Sequence, residues 1–314
     1  MAVVLSGGMA LAETSAPSAG WTAAEQDGKI NATLGDRLMF AWQAKPLVNP
    51  TGGEKFQSSA FLHPLRTPSG FEWTCIQPAD HLHHFGLWWP WKYIEVEGAK
   101  YNCWEIQEGQ GAHVARTVKS LSGGTDGQVW EFINETVVKK PGTSPLAVIR
   151  EVALVGVAVK GDAQVLDISL RQKSTGSAVT IVNYRYSGFS WRGPTSWDKD
   201  NSTLVTSDGK GREDSNGTPV RWVMVSGPTA DGTATVLMMS AAADLAGTPE
   251  RVRVWDSKNH KGTPFVNFNP VMQAALPLDD AHPAVSNRKY RVIAADHTLD
   301  AAAAEAAWRE WMGK

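Results

Sequence analysis

Five of the eight histidines, His63, His81, His83, His84 and His113, lie between positions 63 and 113, together with Trp73, Trp88, Trp89, Trp91 and Trp104. Imidazole takes and gives protons near neutral pH and binds divalent metals through a neutral ring nitrogen. Such a cluster beside flat aromatic rings points to acid/base chemistry on a sugar. A lone histidine is usually structural, but Asp80-His81-Leu82-His83-His84 packs three into five residues. On an extended segment His81 and His83 project to one side and His84 to the other.

Upstream, Pro64 and Pro68 stiffen the backbone around His63 and Arg66. Arg66 is then presented to a substrate oxygen or carboxylate, or else held in an ion pair with Asp80 or Glu72. Downstream, Asn102-Cys103-Trp104-Glu105 sets a carboxylate against an aromatic ring. Desolvation there would raise the Glu105 pKa into the range useful to an acid or base, whereas an exposed glutamate would do nothing. The expected catalytic group is His63, His81, His83, His84 and Glu105. Arg66, Trp88 and Trp104 would contact the substrate, with Tyr184, Trp191 and Arg192 as an opposite wall. No cofactor is required by this pattern. A divalent metal is an open reading, with His81, His83 and His84 as ligands and Glu105 or His113 completing the set. Neighbouring histidines on opposite faces cannot share one ion without a backbone bend.

The elements that must position these groups read as strands. In the segment 166–171 apolar and polar residues alternate with period two, as on a half-buried strand. Similar runs at 129–138, 180–186, 221–225, 233–240, 251–255 and 290–294 are bounded by turn chemistry: Ser122-Gly123-Gly124, Pro141-Gly142, Asn216-Gly217 and Asp231-Gly232. Many short strands with Gly/Pro turns predict a mostly β protein, a large antiparallel β-sandwich forming a single domain over 29–314. One helix is expected, over 299–312, capped by Thr298, with Asp300 in its first turn and Trp308 and Trp311 packed on the sandwich.

The balance of 30 basic against 32 acidic side chains, with no run of five like charges, excludes a nucleic-acid partner. Beyond the N-terminus every apolar stretch is broken before about 18 residues, so no membrane span is expected. Residues 2–12 form a short apolar run ending in Ala10-Leu11-Ala12, before a Ser/Ala/Pro stretch. That is the shape of a secretory signal, although a basic n-region is missing. Residues 1–28 are therefore expected to be a signal peptide and disordered leader, with a periplasmic or secreted mature protein. Cys75 and Cys103 permit one disulfide in that compartment, and two free thiols serve a core of this size equally well. Dinucleotide-binding, P-loop, nucleophile-elbow and zincin motifs are all absent.

The strings HPLRTPSG at 63–70, DHLHHFGLWWPW at 80–91 and NCWE at 102–105 resemble the bacterial PmoA-family proteins, whose pattern runs close to HPLRTPSG, DHPHHRGLWFAWG and NFWE. The likeness continues more faintly through 184–192, 219–222 and 290–297. A methane-oxygenase subunit is an integral membrane protein, which this span-free sequence is not. The resemblance implies instead an exported sandwich of the galactose-mutarotase-like kind, found beside genes for sugar breakdown. Phe85 stands where the family has Arg, and Cys103 where it has an aromatic residue. AAADLAGTP at 241–249 replaces a segment like DHPSNPRHP and lacks both its histidines, leaving His260 as the substitute.

Together these readings predict an exported enzyme, a glycoside hydrolase or lyase, that cleaves glycosides or modified glycosides such as oxidised ones by His-assisted acid/base chemistry. Its partner is a carbohydrate small molecule. The alternatives are a sugar epimerase or mutarotase-like isomerase, a redox enzyme with a His-bound metal, and a non-catalytic sugar-binding protein with Trp88, Trp89, Trp91 and Trp191 as its platform.

Overall fold

The computed structural model describes residues 20–121, 127–241 and 249–313. Two eight-stranded antiparallel sheets face each other. The first runs, in spatial order, Trp21–Gln26, Lys29–Leu34, Arg37–Gln43, Leu62–Leu65, Leu87–Trp88, Phe189–Arg192, Phe265–Asn269 and Arg251–Val254. The second runs Gly111–Leu121, Gly127–Lys139, Pro145–Lys160, Ala163–Gly176, Asn287–Ala295, Thr233–Ser240, Trp222–Pro228 and Thr203–Thr206. A four-stranded sheet and a two-stranded hairpin complete the β structure.

Period two makes the sandwich. Along Gly127–Lys139 buried and half-buried residues alternate without a break, so Trp130 and Phe132 point inward. Across the interface Phe40 meets Trp130 edge-on with centroids 4.8 Å apart, and Phe189 stacks on Tyr290 at 4.0 Å. The expected runs are all present, mostly longer at their ends than the alternation alone marks. The exception is 180–186, where only Val179–Ile181 pairs. Beyond it the chain leaves the sheet and carries Tyr184, Arg185 and Tyr186 as a connection.

Two expectations change, and the open choice between a disulfide and free thiols is decided. The leader does not reach residue 28, because Trp21–Gln26 is an edge strand paired in register with Lys29–Leu34. Asp27 and Gly28, with φ of 51° and 74°, form the tight hairpin turn that an Asp-Gly pair favours, and Trp21 buries itself edge-on against Trp130. The helix spans Ala301–Trp311 and is capped by Asp300, whose carboxylate accepts from the Ala303 amide at 2.8 Å, in place of Thr298. Its Trp308 and Trp311 do pack against the second sheet, around Trp222 and Met239. Cys75 and Cys103 are free thiols. Residues 1–19, with the expected signal and its cleavage site, lie outside the described residues, as do the turn at 122–124 and most of the divergent 241–249 segment. Among the described residues no helix is long and apolar enough to cross a membrane.

Candidate functional site

The DHLHHFGLWWPW segment is not extended at its histidines. The His81 amide donates to Pro78 O at 2.9 Å and the His84 amide to His81 O at 3.1 Å, two successive tight turns. The turns fold all three rings onto one side, in place of the alternation expected of a strand. His81 stacks on His84 at 4.5 Å between centroids, and His83 lies edge-on to both at 5.5 Å and 5.0 Å. Gly86 then seats the loop against the first sheet. Its φ is 59°, and a Cβ there would lie 2.6 Å from the Leu62 carbonyl, so only glycine lets the chain approach this closely.

His81, His83 and His84 line a cleft that opens to solvent. Trp104, Glu105, Arg185, Tyr186, Arg253, Trp255, Asn259, His260 and Phe265 line the rest. They come from the NCWE turn, the connection after Ile181, the Arg251–Val254 strand, the loop that follows it and the start of the Phe265–Asn269 strand. Trp255 lies 5.0 Å from His81 and 4.2 Å from His260, ring to ring.

Asp80 organises one wall. It accepts from Arg192 Nη2 at 3.1 Å and 3.0 Å on its two oxygens and from His81 Nδ1 at 3.1 Å, with His260 Nδ1 3.6 Å away. An ionised carboxylate only accepts, so Nδ1 of His81 carries a proton and Nε2 is the nitrogen left to the cleft. Burial pushes the Asp80 carboxyl up, but His81 and the Arg192 guanidinium outweigh it and hold it at about 2.

Glu105 organises the other wall. Asn102 Oδ1 accepts from the amides of Trp104 and Glu105, both at 3.2 Å, which fixes the turn. The carboxylate pairs with buried Lys92 on one oxygen and accepts the Tyr186 hydroxyl on the other at 2.8 Å. Burial raises Glu105, yet Lys92 and Tyr186 prevail and its carboxyl sits below the ordinary value. The expected upward shift is therefore reversed, because the neighbour that matters is an ammonium and not the Trp104 ring. His83 and His84 are lowered as well, but by burial. Burial brings His83 down to about 4 against a partial opposing pull from Glu105, and fully buried His84 is held well below its ordinary value. His84 Nδ1 has no hydrogen-bond partner among the described residues.

The remaining expected residues lie elsewhere. His63 bonds to Thr74 Oγ1 at 2.9 Å and Arg66 pairs with Glu72 at 3.3 Å, both within their own hairpin, and neither residue lines the cleft. Trp88 is buried behind His84, 5.3 Å away. Tyr184 backs Tyr186 at 4.8 Å, while Trp191 is wholly buried in the core and donates to Trp73 O at 2.9 Å. Arg192 is not itself on the lining; it pairs with Asp80 and lies over the Trp255 ring at 4.4 Å. His113 is buried against Cys103 O and Thr136. Trp88, Trp89, Trp91 and Trp191, the platform of a binding module, are all core residues. Arg185, Tyr186, Arg253 and Trp255 were not anticipated as wall residues. Tyr184-Arg185-Tyr186, an aromatic–cation–aromatic run after a broken strand, is the signal that marks the first two; Arg253 and Trp255 sit on an ordinary alternating strand end and carry none.

Among the described residues, the His/Cys/Asp/Glu donors close enough to share an ion are Asp80, His81 and His260, with donor atoms within 4.8 Å of one another. This differs from the expected ligand set: His83, His84, Glu105 and His113 are not in it. An ion there would replace the Asp80–His81 hydrogen bond.

Fold and cleft together define a large antiparallel β-sandwich protein with a histidine-lined site at one edge. The chain belongs to a family of unknown function, DUF6807, whose model matches residues 29–309. That description names no activity and makes no reference to PmoA. No curated protein matches the chain.

Proposed function

We propose that the protein is an exported carbohydrate-active enzyme that cleaves glycosides or modified glycosides by His-assisted acid/base chemistry. The observation that carries this reading is the Asp80–His81 pair at the cleft wall, 3.1 Å apart through Nδ1. A carboxylate on Nδ1 fixes tautomer and ring orientation and leaves Nε2 as a proton acceptor, the arrangement a general base needs. His83 is neutral at pH 7 and shares that face. His84 Nδ1, buried and unpaired among the described residues, is a polar group that a substrate hydroxyl satisfies. Trp104, Tyr186 and Trp255 supply ring edges and faces for a sugar.

The usual two-carboxylate hydrolysis suits this cleft poorly. It needs one carboxylic acid with a raised pKa, and both Asp80 and Glu105 are held down by cations. The imidazoles therefore carry the proton transfers, as hydrolysis assisted by histidine or as elimination. The non-catalytic alternative is disfavoured by the burial of its tryptophan platform.

A screen of glycosides and oxidised glycosides against wild type and His81→Ala tests this. Turnover by wild type should fall about 10²-fold or more in the variant, with binding changed far less. Saturable binding without turnover by either protein overturns it. Chelation should leave turnover unchanged; loss on chelation and recovery with zinc would instead assign the chemistry to a metal on Asp80, His81 and His260.

A further inference from the structure

The charges of the cleft do not cancel. Asp80 is matched by Arg192 and Glu105 by Lys92, each within ion-pair distance. Two guanidiniums on the wall, Arg185 and Arg253, are left over. Among the described residues neither makes a hydrogen bond or an ion pair. Asp256, the acid that draws Arg253, is beyond ion-pair range, and its carboxylate is taken by Asn259 and the Lys258 amide. Arg185 lies only against the rings of Tyr184 and Tyr186, at 5.9 Å and 5.6 Å.

Arg251 and Arg253 share one face of their strand, and the comparison is informative. Arg251 gives its Nη1 to Gly217 O at 2.6 Å and so has a structural partner. Arg253, half-buried, has none, and burial together with the Arg185 charge works against its cationic form. A solvated surface arginine needs no partner, but a half-buried one facing a second cation across a concave wall is destabilising until an anion arrives. A guanidinium presents a planar fork of N–H donors that matches a carboxylate or a sulfate on two oxygens.

We infer that the cleft takes an acidic sugar, with Arg185 and Arg253 receiving an oxyanion carried on the ring, while the His81 side reaches the bond to be cleaved. The shared chemistry is that of a uronic acid carboxylate or a sulfate ester. This inference rests on the carbohydrate reading of the same cleft and assigns its substrate class. Arg185 and Arg253 are binding residues in it and take no part in proton transfer.

Calorimetric titration of the full chain with methyl glucuronide, glucose 6-sulfate and methyl glucoside tests it. The glucuronide or the sulfate should bind at least about 10-fold tighter than the glucoside, and raised salt should weaken that preference. Which of the two binds tighter identifies the oxyanion. Arg253→Gln should lose roughly 10- to 100-fold in affinity for the charged sugar and little for the glucoside, and Arg253→Lys should recover part of the loss. Arg185→Gln, at an exposed position that gives up only the ring contacts with Tyr184 and Tyr186, should show the same selective loss on a smaller scale. Equal affinity for charged and neutral sugars, no binding of either charged probe, or full charged-sugar affinity in both glutamine variants overturns the inference. Binding of the glucuronide with no turnover of any glycoside overturns the catalytic reading alone. Turnover of neutral glycosides with no charged probe bound overturns this inference alone.

Discussion

The two halves of one motif treat their polar groups in opposite ways. At the back, Trp89 and Trp91 anchor the loop to the second sheet. Trp89 Nε1 donates to Glu151 at 2.6 Å, and the same carboxylate accepts from Asn134 at 2.9 Å and Gln172 at 2.5 Å. Trp91 Nε1 donates to Gln172 at 2.9 Å. Each of these neutral, buried donors finds its acceptor inside the network, which leaves Asn134 Oδ1 as its one atom without a partner among the described residues. At the front, Asp80 is held by a guanidinium and imidazoles at a solvent-facing wall, and among the described residues His81 Nε2 and His84 Nδ1 have no hydrogen-bond partner. A closed network gives rigidity, and an open one has capacity left for a ligand. Tryptophan foundation and histidine face are therefore one device: the first holds the second to its geometry.

The largest expected effect is at the open half. Asp80→Asn should lower kcat by about 10²-fold or more with KM changed little, because His81 loses the partner that sets its tautomer. Rates on any substrate found in the screen check this, with circular dichroism to show an intact fold. A fall of only a few-fold would mean that the Asp80–His81 pair is structural and that the two halves do not differ in kind.

The closed half should answer in stability instead. Glu151→Ala strands the donors of Trp89, Asn134 and Gln172 in the interior, at roughly 1–3 kcal/mol for each that finds no water. Thermal unfolding should shift down by several degrees. Arg253→Gln, on the cleft wall and without a hydrogen-bond or ion-pair partner among the described residues, should shift it much less. Equal shifts would erase the distinction.

The smallest effect is in the acid limb of stability. Burial, then Lys29 and Arg66, bring His63 down to about 3, so the folded state keeps it neutral while the unfolded chain protonates it near 6.5. The unfolded state therefore binds more protons between those values. Stability present above about pH 6.5 is lost as pH falls toward 3. His63→Gln should flatten that limb of a melting-temperature profile without changing substrate affinity, because His63 lies off the cleft. An altered affinity would bring its motif into the site after all.

Local composition and spacing determined a good part of this protein. Period-two alternation, as in 129–138 or 233–240, needs only neighbouring residues to be read, and it yielded the strands and the sandwich class. The crowding of histidines at 81–84 pointed to the loop whose rings line the cleft. Asp27-Gly28 carried a hairpin signal that the leader reading passed over. What tertiary structure alone decided was company. His63 and Arg66 looked as chemical as His81, and only the fold shows that they turn to Thr74 and Glu72 and lie off the cleft. Trp191 read as a wall residue and is core, because a strand in the middle of a sheet is buried on both faces. Glu105 was expected to rise and falls, because Lys92, thirteen residues away in the chain, reaches its carboxylate. Charge balance is likewise a property of a cavity: Arg185 and Arg253 become a pair only when a connection and an edge strand distant in sequence meet across the same cleft.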